Sequence, residues 1–274
     1  MVNYYLITKP GIIFGNLLTL AAGFLLASHT FSPLLFLTTL SGLALVIASA
    51  CVFNNCIDKT IDKKMERTKN RPIASEKLQT QHAFIFASIL GVLGIAILSA
   101  FTNITATLTA GLGFFIYVCI YSFLKTRTIY GTAIGSIAGA IPPVVGYTAV
   151  TNQLDFGSLV LFTALLFWQM PHFFSIALFR LNDYKQANVP VFPLKKGSYL
   201  TKIRITLYIA GFLLTILLLS PFHYATLLAG AGWFFLSLLG FKIKDEAQWA
   251  KDMFIASLIT IMTMSATIIG QAIL

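Results

Sequence analysis

The sequence predicts an all-α integral membrane protein with nine transmembrane helices. Three observations carry that expectation. Of its 274 residues 57% are hydrophobic and only 10% are charged. The mean hydropathy is +0.84. Asp, Glu, Lys and Arg are missing from six long runs, residues 10–57, 78–124, 128–154, 156–179, 205–241 and 253–274. Soluble domains carry about a quarter charged residues, so composition decides the class before any motif is read.

A helix crosses the hydrocarbon layer in about 20 residues, so the first, second and fifth runs are too long for one crossing and must fold back. Polar or helix-breaking residues mark the reversals at Ser28 to Pro33, Thr102 to Ile104 and Ser220 to His223. The nine spans then fall approximately at residues 11–28, 34–55, 82–101, 104–123, 130–150, 157–180, 203–219, 223–240 and 253–273, within a single domain covering residues 1–274. In the fifth span Gly131, Gly135 and Gly139 recur at four-residue spacing, which permits close helix approach. Pro142 and Pro143 in that span and Pro171 in the sixth are expected to kink their helices and free carbonyls beside a cavity.

Charge tests the count independently, because a missed or invented span would flip every later loop. With nine spans, all 19 Lys and Arg fall on one side: Lys9, the loop 56–81, Lys125 with Arg127, the loop 181–202 with its flanks, and residues 242–252. The loops of the other side contain one charge, Asp155. The positive-inside rule puts the N-terminus and the basic loops of this multi-pass protein in the cytoplasm and the C-terminus outside. The net charge of +10 does not indicate nucleic acid, since the cations lie in short loops between apolar runs rather than in a patch interleaved with exposed aromatics. Cys51, Cys56 and Cys119 form neither a disulfide framework nor a metal spacing, and the N-terminus lacks the pattern of a cleaved leader.

The densest charged stretch is NNCIDKTIDKKMERTKNRP, residues 54–72. Asn54, Asp58 and Asp62 stand at i, i+4 and i+8, so on a helix they project from one face with a drift of about 40° per step. Mg²⁺ takes hard oxygen ligands and is usually held by one or two carboxylates together with phosphate oxygens of a substrate. Arg67, Lys69 and Arg71 follow, and Arg presents a planar fork to phosphate. Acids for a metal followed by bases for its anion read as a metal-diphosphate site. The plain alternative is a solvated loop that fixes membrane orientation, which needs the bases but not the four-residue spacing of Asn and Asp. As solvent-facing charges, the carboxylates are expected to contribute little to stability.

The loop after the sixth span, FRLNDYKQANVPVFPLKKG, has the same character, with Arg180, Asp183, Lys185, Asn188, Lys195 and Lys196. Two acidic helix ends facing each other across the bundle would hold one or two Mg²⁺ with a diphosphate between them. The alternative is a capped helix end with solvated charges. Lys125 and Arg127, beside Tyr117 and Tyr121, make a third basic site over the same anion. His172 lies inside the sixth span just after Pro171, and an ionisable group inside a membrane is a functional candidate, the alternative being a hydrogen-bonded core residue at the kink.

The segment carrying Asn54, Asp58 and Asp62 and ending in ERTKNRP is similar to the first motif of the UbiA-type intramembrane prenyltransferases. The wider set, TKPGIIFGN, CVFNNCIDKTIDKKMERTKNRP, YGTAIGSIAGAIPPVVGY, WQMPHF and FRLNDYKQANVPVFP, resembles the haem-farnesylating branch of that superfamily through essentially the whole chain. The resemblance implies nine helices around a cavity, Mg²⁺ dependence, and transfer of farnesyl from farnesyl diphosphate to a vinyl group of haem B with addition of water. It implies Asp58, Asp62 and Asp183 as catalytic carboxylates, with Asn54 beside them on the metal. It further implies Arg67, Lys69, Arg71, Lys125, Arg127 and Lys185 for the diphosphate, and His172 and Arg180 for haem, with Lys195 and Lys196 as further candidates for its propionates. A haem A synthase or a terminal oxidase is the implied recipient of the product. The chain departs from the superfamily pattern after Asp183, where a second carboxylate at four-residue spacing is replaced by Ala187, leaving Asn188 as a neutral oxygen donor. Two other functions fit the residues alone: prenylation of an aromatic quinone precursor, and transport. Coupled transporters carry ionisable groups near the midplane, whereas here the acids cluster at one membrane face.

Overall fold

The computed structural model describes residues 2–219 and 223–273. The long helices are α1 (Pro10–Ala27), α2 (Pro33–Ile57), α3 (Thr80–Phe101), α4 (Ile104–Leu124), α5 (Gly131–Thr151), α6 (Phe156–Phe179), α7 (Ser198–Leu219), α8 (Tyr224–Leu239) and α9 (Glu246–Ile273). Among the described residues, eight of these are long and apolar enough to cross a membrane, and α8 is a shorter apolar helix of 16 residues. The chain is a multi-pass, all-helical membrane protein, in agreement with the sequence. The reversals at 28–33 and 102–104 fall between helices as expected. Of the third reversal, residues 220–222 lie outside the described residues. The ninth span begins at Glu246 rather than near 253, because a helix continues past the apolar run when its first turns carry acids suited to an N-terminus.

Neighbouring helices pack in sequence, and α9 returns to pack on α1 and close the ring. α5 and α6 are the most buried and lie centrally, while α3 and α4 are the least buried. One apolar core, with Leu20, Phe24, Leu43, Leu98 and Val145, joins α1 to α5. A second, with Trp168, Phe174, Phe212, Trp233 and Met264, joins α6 to α9. An apolar groove of about 570 Å³ runs between α2, α3 and α4, and Phe53 in its wall immediately precedes Asn54.

The prolines act differently from one another. α5 is interrupted at Ala140, and Pro142 and Pro143 stand in the first turn of its second segment, where a missing N–H leaves no hydrogen bond unmade. α6 runs unbroken through Pro171. The three cysteines are free.

Contacts tie every basic segment to one end of the bundle. Lys9 and Lys125 reach the first loop. Met65 of the first loop packs with Ala187, Val189 and Val191 of the second. Lys202 pairs with Glu246 at 2.6 Å, bringing the segment before α9 to the same end. The opposite end is closed by uncharged contacts, Asn103 donating to Thr148 O and Thr105 to Asn152, apart from Asp155, which accepts from Tyr147.

Candidate active site

α2 carries the first candidate ligand and stops at the second. Asp58 caps α2 and leads into the short helix Lys59–Asp62. The backbone keeps its register across the junction, Asp58 N donating to Asn54 O at 2.9 Å and Asp62 N to Asp58 O at 2.8 Å. Four-residue spacing therefore does stack the three side chains, as the sequence predicts. They do not face solvent, however. Asn54, Asp58 and Asp62 are 3%, 6% and 4% exposed, so the expectation of solvent-facing charges with little bearing on stability is overturned.

Burial is tolerated because each side chain of the column holds a cation from a different part of the chain. Lys9 Nζ donates to Asn54 Oδ1 at 2.8 Å. Lys125 forms an ion pair with Asp58 Oδ2. Arg71 donates from one nitrogen to both oxygens of Asp62, at 3.0 and 2.9 Å. Burial lowers the Lys9 ammonium to about 8, since removal from water disfavours the charged form. Burial also lowers the Lys125 pKa, with Asp58 opposing that shift. Lys9 is itself in the left-handed backbone region, φ 56°, directly before Pro10. Sequence reasoning missed Lys9 as a site residue, because it lies 45 positions before Asn54 and is read as a lone flanking charge.

Lys125 is positioned by the close packing of α5. A turn of π-helix at Ile116–Tyr121 brings Tyr117 and Tyr121 into a stack with ring centroids 5.2 Å apart. The same turn presents Ser122, whose Oγ accepts from Asn54 Nδ2 at 3.4 Å. Extra-residue turns of this kind are common at functional sites. Against them lies the glycine stripe of α5. A Cβ on Gly131 would stand 2.7 Å from Lys125 Cα, one on Gly135 would meet the Tyr121 ring at 3.0 Å, and one on Gly139 would meet the Gln169 amide at 2.3 Å. The close approach foreseen from the four-residue spacing thus seats the residues of the site.

The second loop arrives by apolar docking. Asp183, 9% exposed, stands in the short helix Leu181–Gln186. Burial raises the neighbouring Tyr184 pKa, Arg67 and Arg71 oppose the shift and Asp183 adds to it, so both loops share one field. Among the described residues, no three His, Cys, Asp or Glu side chains are gathered closely enough to hold a metal, so Asp58, Asp62 and Asp183 do not form a three-carboxylate cluster. The column still suits Mg²⁺. Asp58 Oδ1 and Asp183 Oδ2 are buried carboxylate oxygens without a hydrogen-bond partner, a costly condition that a cation relieves, and Mg²⁺ draws its remaining ligands from substrate and water.

Other candidates are engaged elsewhere. Asn188 is exposed, has φ 55° and closes its helix, with its N–H on Lys185 O and the Val189 N–H on Tyr184 O. Lys69 pairs with Glu66 on the surface. Arg127 lies 3.5 Å over the Phe123 ring, and Arg180 lies 5.2 Å from that of Phe179. Lys185 is exposed. His172 is apart from the column, on α6 facing α9, with Nδ1 2.7 Å from Ser257 Oγ.

The sequence pattern of a known family, the UbiA prenyltransferases, matches residues 16–258. The chain belongs to the UbiA prenyltransferase family. It is 52% identical over 277 residues to a protoheme IX farnesyltransferase of Protochlamydia amoebophila, covering 98% of each chain. It is 47% identical to the corresponding protein of Pseudomonas savastanoi, covering 96% of this chain and 92% of that one. Among solved structures it resembles a digeranylgeranylglyceryl phosphate synthase, with a TM-score of 0.78 at 18% identity over 98% of both chains. A UbiA homologue from Archaeoglobus fulgidus bound to GPP and Mg²⁺ gives a TM-score of 0.72 at 14% identity, covering 97% of this chain and 99% of that one. The chain is a UbiA-family prenyltransferase of UbiA fold, and transport is set aside.

Proposed function

We propose that this prenyltransferase moves the farnesyl group of farnesyl diphosphate to a vinyl group of haem B and adds water, giving haem O and diphosphate. The observation that carries the acceptor is the full-length likeness, at 52% and 47% identity, to proteins named protoheme IX farnesyltransferase. Nothing in the site favours a quinone precursor.

In this reading Asn54, Asp58 and Asp62 hold Mg²⁺, with Asp183 on the facing loop. Bound there, Mg²⁺ supplies Lewis-acid stabilisation of the diphosphate oxygens. Lys9, Lys125 and Arg71, already gathered on the column, turn to the diphosphate, and Arg67 lies in the same field. As the C1–O bond breaks, negative charge collects on the leaving diphosphate. Fixed cations in a site shielded from water stabilise that charge far more than they would in solution. The allylic carbon then bonds to the terminal carbon of the vinyl group, leaving a cation next to the porphyrin. Water adds there and loses one proton. No covalent intermediate with the protein is required.

His172 is the proposed axial ligand of haem iron, with Arg180 near a propionate. His172 lies on α6 and Asp183 on the separate short helix that follows Arg180, and a tilted haem is proposed to reach from one to the other. The basic end of the bundle is proposed to face the cytoplasm of a bacterial inner membrane.

The test is the mass of haem recovered after the purified protein has been incubated with haem B, farnesyl diphosphate and Mg²⁺. The expected gain is one farnesyl group and one water. A gain lacking the water would overturn the final step. Prenylation of 4-hydroxybenzoate with haem unchanged would overturn the acceptor.

A further inference from the structure

Ser257 of α9 holds two rings of α6 at once. Its carbonyl accepts from Trp168 Nε1 at 2.7 Å, and its hydroxyl oxygen lies 2.7 Å from His172 Nδ1. Trp168 and His172 are four residues apart and stack with centroids at 4.9 Å and an interplanar angle of 24°. Phe254 of α9 also lies 4.9 Å from the imidazole, at an interplanar angle of 35°. The ring is fixed in position and in rotation.

The hydroxyl also fixes where its proton sits. Ser257 is fully buried, and its Oγ lies 2.5 Å from Phe254 O. Two oxygens at that distance repel unless a proton lies between them, so the single hydroxyl proton is committed to Phe254. Ser257 Oγ can then only accept from the imidazole, and Nδ1 carries the imidazole proton. Nε2 is left with its lone pair bare and with no hydrogen-bond partner among the described residues. A neutral imidazole with an occupied Nδ1–H and an open Nε2 is the form that ligates a metal, and the partner of the other ring nitrogen sets both its orientation and its basicity.

We propose that Ser257 is a positioning residue for the acceptor: through its hydroxyl it holds His172 in the Nδ1–H tautomer and aims Nε2 at the iron of haem B. This rests on the reading of His172 as the iron ligand. It adds a requirement on α9, a helix that contributes nothing to the acidic column.

The test is a titration of the full-length protein with ferric haem B, without farnesyl diphosphate, read by the Soret band and by electron paramagnetic resonance. The wild type is expected to show a histidine-ligated spectrum, and His172→Ala to lose it. Ser257→Ala is expected to weaken haem binding about tenfold to a hundredfold and to alter the ligation signature. Ser257→Thr, which keeps the hydroxyl, is expected to restore both, while farnesyl diphosphate binding persists in every variant as the check on folding. A wild-type spectrum and affinity in Ser257→Ala, with both lost in His172→Ala, would overturn the role of Ser257 and leave the ligand in place. An unchanged spectrum in His172→Ala would overturn the ligand reading itself. If Ser257→Ala does not fold, failure of folded Ser257→Thr to ligate as the wild type does would likewise overturn the proposal.

Discussion

Lys9 donates from Nζ to Asn54 Oδ1 at 2.8 Å, joining the residue before α1 to the first member of the acidic column. Lys125 and Arg71 do the same for Asp58 and Asp62, so each of the three side chains of the column is bound to a cation. A column assembled in this way pairs its buried carboxylates and has anion-binding groups at hand.

Lys9→Met is therefore expected to raise KM for farnesyl diphosphate by about tenfold to a hundredfold, the range for losing one hydrogen bond from a charged group. The protein should remain folded, because the variant also removes a buried charge that its surroundings disfavour. Steady-state kinetics across farnesyl diphosphate concentrations check this, and an unchanged KM would show Lys9 to be a helix-end charge only.

Asp58→Ala is expected to abolish turnover and also to destabilise the protein, by about 3–5 kcal/mol, since it strands the Lys125 ammonium, whose side chain is 14% exposed. The double variant Asp58→Ala/Lys125→Met should recover most of that stability and none of the activity. Thermal melting in detergent beside an activity assay separates the two effects. Full stability in the single variant would mean that the pair is solvated after all.

The column and the glycine stripe were legible in the sequence because both repeat every four residues along a backbone that keeps helical register, and helical geometry converts spacing into a shared face. Burial of the column was not legible, since it depends on Lys9, Lys125 and Arg71, which are brought in from distant or looping positions. Asn188 illustrates the opposite limit. Its oxygen suited a ligand role on paper, while its left-handed backbone closes a helix end, a role that Asn sometimes fills in place of glycine. Ser257 carried no signal at all, because one serine in an apolar span is unremarkable until its partner on another helix is known.

Gly131→Ala tests whether the stripe positions the site. The added methyl would lie 2.7 Å from Lys125 Cα, a backbone atom that cannot move without carrying the side chain with it. A fall in kcat of about tenfold or more is expected, with KM for haem little changed, because small misplacements of a catalytic group are expensive in rate. Gly111→Ala, at a position where a Cβ would meet nothing within 4 Å, serves as the control and should be near wild type.

The orientation prediction rests on the expected sorting of all 19 Lys and Arg to one side of nine spans, eight of which are long and apolar enough to cross a membrane among the described residues. Single cysteines are to be placed at Lys64, Lys195 and Asn152 after Cys51, Cys56 and Cys119 have been replaced by alanine, since Cys119 is itself exposed. Lys64 and Lys195 lie in loops docked together through Met65 and Val189, so they must label from the same side, and the positive-inside rule makes that side the cytoplasm. Asn152 lies at the opposite end, beside Thr105, and should label only from outside. Labelling of Lys64 and Asn152 from one side would remove the nine-span arrangement. Labelling of the pair from outside and of Asn152 from within would keep the arrangement and invert the proposed orientation.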